Sequence, residues 1–219
     1  MIDNYCERVG PGLLAEPVNA VTNISFFIAA WFVWLLIKKN NQATIALYVL
    51  PALILCIGAG SSLFHTFANG WSALLDIIPI FLFQICILWL YGRNIIRLGF
   101  ATTALIILIF LTANFIALQF PALLNGSLMY LPALSAILGL AIFHAYTQTN
   151  ERWILLLAFF VFCISLFFRT IDAGICEEFP LGTHFIWHIL NSIVLYLIAR
   201  AVIRTHTLLL SRVVDSGTV

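Results

Sequence analysis

Charge is what this chain has least of. Ten lysines and arginines and nine acidic residues make up 9% of 219 positions. A soluble domain carries about a quarter. That shortage excludes an ordinary soluble enzyme and a disordered chain, both of which need a surface that water can solvate. A formal charge of +1 leaves no basic footprint for nucleic acid. Five cysteines without a C-x-x-C pair make neither a disulfide scaffold nor a zinc ribbon. Internal repeats and low-complexity stretches are missing as well. What the chain has instead is apolar: 63% of its residues, with a mean hydropathy of +1.09.

The apolar residues fall into seven runs, each long enough to cross a hydrocarbon core of about 30 Å as a helix. They run approximately Val18 to Ile37, Thr44 to Phe67, Ser72 to Tyr91, Leu98 to Phe120, Leu128 to Tyr146, Trp153 to Arg169 and Thr183 to Ile203. Lipid offers no partner for an unpaired backbone amide, and the runs lack the alternation of a membrane barrel. The expected fold is an all-α membrane protein, a seven-transmembrane helix bundle. Residues 1–17 read as an outer segment, 18–205 as the seven-span domain and 206–219 as a tail. The stretch Met1 to Gly10 has no basic start and no small-residue cleavage site, so it does not read as a removable signal peptide.

Basic residues set the orientation of such a bundle. Lys38, Lys39, Arg93, Arg97, Arg152, Arg200, Arg204 and Arg212 map to one face, and only Arg8 and Arg169 to the other. The bias puts the N-terminus outside or in a lumen and the C-terminus in the cytosol. Most of the acid, including Asp3, Glu7, Glu16, Asp172, Glu177 and Glu178, maps to the outer face.

Ionisable groups at membrane depth are expensive and normally face a bundle interior, so they mark the place to look for function. His184 and His188 stand four apart at the start of the seventh span, on one helix face. Ser61 and His65 share a face at the end of the second span, behind the small residues Gly58, Ala59 and Gly60. Past the Asn69-Gly70 turn comes Asp76, the one carboxylate well inside a span. With a helical rise of about 1.5 Å per residue, these five groups lie roughly 6 to 13 Å below the outer surface, in one layer. Three neutral imidazoles with an open fourth position suit catalytic zinc. In that reading Asp76 orients or deprotonates water and Ser61 donates to the developing oxyanion, in the hydrolysis of an ester or amide in a lipid. His144 and His206 read as interfacial residues near the cytosolic ends. Cys56, Cys86 and Cys163 read as core filler, and Asn19, Asn23, Asn114 and Asn191 as interhelical glue.

Three stretches together carry a family pattern: Tyr5-Cys6-Glu7 with Ala15-Glu16-Pro17-Val18-Asn19 and Thr22-Asn23; Gly60-Ser61-Ser62-Leu63-Phe64-His65 with Asp76; and Asp172 to Cys176 with His184 and His188. The chain resembles the alkaline ceramidases, within the CREST superfamily of seven-helix hydrolases that also takes in the adiponectin receptors. The resemblance implies a zinc-dependent amidase that cuts the N-acyl bond of ceramide, or a related N-acyl lipid, into a fatty acid and a sphingoid base or amine. It implies zinc on His65, His184 and His188, with Ser61 and Asp76 beside the metal. It implies a disulfide between Cys6 and Cys176, and calcium held through Glu7 and Glu16, although the family's Asp-Trp-Cys-Glu reads Asn4-Tyr5-Cys6-Glu7 here. The compact loops resemble a bacterial member, with the site facing the periplasm. The alternative is an adiponectin-receptor-like lipid-binding protein with a structural zinc and little turnover. A haem protein fits less well, because both histidines of the last span share one face. A proton-coupled transporter fits less well too, because no polar relay reaches the cytosolic side.

Overall fold

The computed structural model describes residues 2–40 and 44–215, with side chains as far as Ser211. Arg212, counted above among the basic residues, lies outside the described side chains. Seven helices among the described residues are long and apolar enough to span a membrane: α1 (Pro17–Lys38), α2 (Ile45–Phe67), α3 (Gly70–Ile95), α4 (Phe100–Ala117), α5 (Leu123–Thr147), α6 (Ile154–Gly174) and α7 (His184–Ser211). The expected all-α, seven-span fold is what the chain adopts. Only the ends differ. α3 continues past Tyr91 through a wider π-helical turn to Ile95, and α7 continues through His206.

Each helix packs on its neighbour in sequence, and α7 closes the ring against α1 and touches α2 and α3. α7 is the innermost, with 61% of its most apolar window buried, against 17% for α4 and α5. Large apolar side chains such as Phe32, Leu105, Ile109, Phe115 and Phe160 cover the outside, where lipid rather than water is the solvent.

Local chemistry fixes the α2–α3 hairpin. Ala68 takes a left-handed conformation that ends α2. Asn69 then caps α3, accepting from the Ser72 N–H while the Ser72 hydroxyl serves the Asn69 N–H in return. The returning helix passes so close that a Cβ on Gly60 would meet the Leu75 carbonyl oxygen at 1.9 Å. Only glycine fits there.

Several residues have other surroundings than expected. His144 does lie in the last turn of α5, near the helix end as expected, but it is buried among helices there, with Nδ1 2.7 Å from the Tyr91 hydroxyl. His206 is also buried. Cys56 is exposed and so does not fill the core. The Asn23 and Asn114 amides donate to carbonyls of their own helices, of Asn19 and Phe110, and tie no two helices together.

Candidate metal and catalytic centre

The centre is assembled from both ends of the chain. His65 stands near the end of α2, and His184 and His188 one turn apart at the start of α7. All three are buried, and each offers a ligand nitrogen within 4.8 Å of the others. The spacing read from the sequence is therefore realised in space.

Hydrogen bonds decide which nitrogens face inward. The Thr22 hydroxyl donates to the Val18 carbonyl at 2.7 Å, so at 3.0 Å it can only accept from His188 Nδ1–H. Glu16 accepts from His65 Nδ1 in the same way. Both rings then present bare Nε2 atoms to one another, 3.1 Å apart. Two lone pairs opposed at that distance repel unless a cation lies between or beside them. His184 adds a buried Nδ1 with no partner of its own. Three converging neutral imidazoles, two of them oriented by an outer carboxylate and hydroxyl, form a donor set that fits a transition metal such as zinc.

Asp76 lies in the second turn of α3, where its carboxyl faces His65 and the Ser61 hydroxyl. Ser61 is buried one turn before His65. All five residues of the layer thus come together, because the close α2–α3 contact at Gly60 sets Ser61 against Asp76.

Glu7 and Glu16 find no support as calcium ligands, because both are taken up by donors of the protein. Glu7 accepts from the Val18 and Asn19 N–H groups at 2.6 and 2.8 Å, closing the first turn of α1. Glu16 bonds Arg8, His65 and the Asn19 amide. Burial raises the Glu16 carboxyl, but the hydrogen bonds from His65 and Arg8, with the Arg8 charge, outweigh it and hold it below the ordinary carboxylate value.

Sequence reasoning missed four contributors. Arg8 is buried against Glu16. Tyr5 stacks on the His184 ring at 3.7 Å between centroids. Burial holds the Tyr5 phenol well above its ordinary value, only partly offset by the Arg169 guanidinium, so it remains a neutral O–H donor. Arg169 sits over the Tyr130 ring at 5.0 Å and donates to the Ser127 hydroxyl at 2.8 Å and to the Asn125 carbonyl at 3.0 Å. Asp172 is fully buried; one oxygen accepts from the Thr183 and His184 N–H groups at 2.6 and 2.9 Å and the other from Cys6 N–H at 3.1 Å. A carboxylate placed so neutralises the positive end of α7. The expected disulfide joins Cys6 to Cys176.

Two cavities lie close by, one lined by Arg169 and the other by Tyr130. A cleft of about 550 Å³, lined by Asp3, Tyr5, Phe120, Met129 and Arg169 among others, opens on the N-terminal face. A smaller apolar cavity of about 60 Å³ lies inside the bundle between Phe83, Phe110, Tyr130, Ala133, Phe162 and Leu195, with Gln84 and Asn191 as its polar lining.

The comparison with known families agrees with this geometry. The ceramidase family model matches residues 3–214. The chain belongs to the ceramidase family. No curated protein matches it. Membership implies a membrane-bound amide hydrolase acting on ceramide, and the match covers both α2 and the last helix, which together carry the three histidines.

Proposed function

We propose that this ceramidase-family protein is an intramembrane zinc amidase that hydrolyses the N-acyl bond of ceramide or a related N-acyl lipid. The observation that carries the reading is the pair of bare Nε2 atoms of His65 and His188, 3.1 Å apart, with His184 beside them. When bound, zinc supplies Lewis acidity, which activates water and polarises an amide carbonyl.

The protein's own groups supply the rest. The acyl chain lies in the apolar cavity beyond Tyr130, and the oxygen-rich headgroup lies in the cleft beneath Tyr5 and Arg169. In this reading the scissile carbonyl lies at the level of the histidines. Asp76 accepts a proton from the attacking water and returns it to the departing nitrogen. Ser61 lies near Asp76 and can turn its hydroxyl to the oxyanion. Arg169 offers a cation to the headgroup oxygens and to the released carboxylate. With eight basic residues at the opposite face, the centre opens to the outside, the periplasm in a bacterial inner membrane.

The test compares the wild type with His188→Ala in a lipid-extract screen by mass spectrometry, with metal content measured on both. Wild type should hold one zinc per chain and release fatty acid with its partner amine; the variant should do neither. Equal metal in the two proteins would refute the ligand assignment. Zinc without turnover of any N-acyl lipid would return the receptor reading.

A further inference from the structure

The segment between Cys6 and Pro17 passes over the histidine centre, and its one basic residue is turned inward. Arg8 is 5% exposed. Its Nε donates to Glu16 Oε1, and a terminal guanidinium nitrogen donates to the His65 main-chain carbonyl at 2.8 Å. The second Glu16 oxygen accepts from His65 Nδ1 and from the Asn19 amide at 3.2 Å. One guanidinium–carboxylate unit therefore grips His65 twice, at its ring and at its backbone.

The family resemblance implies calcium at this place, and the residues do not fit it. Both oxygens of Glu16 and both of Glu7 are bonded to donors. A permanent cation already touches Glu16, and a dication added beside the guanidinium would meet like charge in a buried setting. We propose that Arg8 is a built-in cation that stands where a metal ion would otherwise neutralise Glu16, and that it is a positioning residue for His65. A guanidinium is charged at every accessible pH and cannot dissociate from the chain. It keeps Glu16 bonded to Nδ1–H, so the lone pair of Nε2 is the one turned toward His188. Lysine would supply the charge but not a fork that reaches the Glu16 carboxylate and the His65 carbonyl together.

This inference rests on the reading of the three histidines as metal ligands, and the experiment separates the two. Zinc affinity and amide hydrolysis are measured on the detergent-purified wild type, Arg8→Ala and Arg8→Lys, with and without a calcium-selective chelator, calcium or millimolar methylguanidinium. Wild-type affinity and turnover should ignore both chelator and calcium. Arg8→Ala should bind zinc about 10- to 100-fold more weakly, the range that orienting partners of ligands command. Methylguanidinium should restore most of that loss and calcium none of it, while Arg8→Lys falls between. A merely structural Arg8 would lower the melting temperature and leave zinc affinity and its rescue untouched, which overturns the proposal. So does a wild type that needs calcium. Should Arg8→Ala fail to fold, Arg8→Lys with wild-type zinc affinity overturns it equally. A wild type that binds no zinc refutes the histidine reading and Arg8 with it, whereas a zinc-loaded, active wild type matched by Arg8→Ala refutes Arg8 alone.

Discussion

Replacing Gly60 by alanine would put a methyl group 1.9 Å from the Leu75 carbonyl oxygen and 2.6 Å from its carbon. An ordinary contact begins near 3.4 Å, so α2 and α3 would have to part by about 1.5 Å. The obstacle is helical backbone, which cannot swing aside as a long side chain would. Overpacking of this kind costs about 1–3 kcal/mol, and a rigid neighbour puts Gly60→Ala at the upper end. The functional effect should be larger. Ser61 directly follows Gly60 and Asp76 directly follows Leu75, so the separation opens between the two residues proposed to manage the proton. A misplacement of about 1 Å costs on the order of 100-fold in rate, and Gly60→Ala should lose at least that. Gly139→Ala is the matched control, because a Cβ there meets nothing within 4 Å. It should leave turnover unchanged and raise stability by no more than about 1 kcal/mol, the helix-propensity gain. Thermal unfolding in nanodiscs and ceramide turnover on the same preparations decide the matter. If Gly60→Ala melts and turns over like Gly139→Ala, the close contact does not set the geometry of the centre and the reasoning fails.

Asp76→Asn should fold and keep its zinc while turnover falls by about 10²- to 10⁴-fold, since the amide cannot accept the proton; unchanged turnover would remove Asp76 from the chemistry. Ala133→Leu, which fills part of the apolar cavity, should slow long-acyl substrates and spare short ones in a chain-length series; equal loss for both would mean that the acyl chain lies elsewhere. Glu151 is held below its ordinary value by its hydrogen bonds to Arg200, with burial opposing. Its folded value lies below the unfolded one, so its stabilisation is present above about pH 4.5 and fades as pH falls through the folded value. Because the pair is partly solvated, Glu151→Gln should cost no more than about 1 kcal/mol at neutral pH and progressively less as pH falls through the folded value in pH-dependent melting.

The spans, and the layer of polar residues within them, were legible because lipid makes both signals strong. A run of about 20 apolar residues has few alternatives to a helix, and an imidazole at membrane depth stands out against such a background. The N-terminal segment was harder to read. Glu7 and Glu16 looked like ligands because a sequence shows acids but not what bonds to them, and neither the donors of α1 nor the inward turn of Arg8 has a sequence period. A signal was nevertheless there. The charge bias had two exceptions, Arg8 and Arg169, and both lie at the centre, one against Glu16 and the other over Tyr130 beneath the outer cleft. An arginine away from the basic end of a membrane bundle is held there by something, and here that is the site. His144 was placed near a helix end correctly, but its burial was not legible, because lateral burial follows from which helices surround it, and Tyr91 encloses it.

Helices in lipid have no hydrophobic force drawing them together, since the acyl chains outside are as apolar as the side chains within. Holding nitrogens from α2 and α7 in a fixed arrangement therefore calls for specific ties. Three are present, and each runs through the N-terminal segment. The Cys6–Cys176 bond fastens that segment to the loop ahead of α7. Asp172 binds Cys6 N–H with one oxygen and the first N–H groups of α7 with the other, so the start of α7 and the segment share one carboxylate. Arg8 and Glu16 then join the segment to the backbone and ring of His65. The path from His65 to His184 thus consists of covalent bonds and buried, charge-assisted hydrogen bonds. It does not depend on how tightly lipid packs around the bundle, and this explains why a stretch without long helices can govern the geometry of a centre built on two of them.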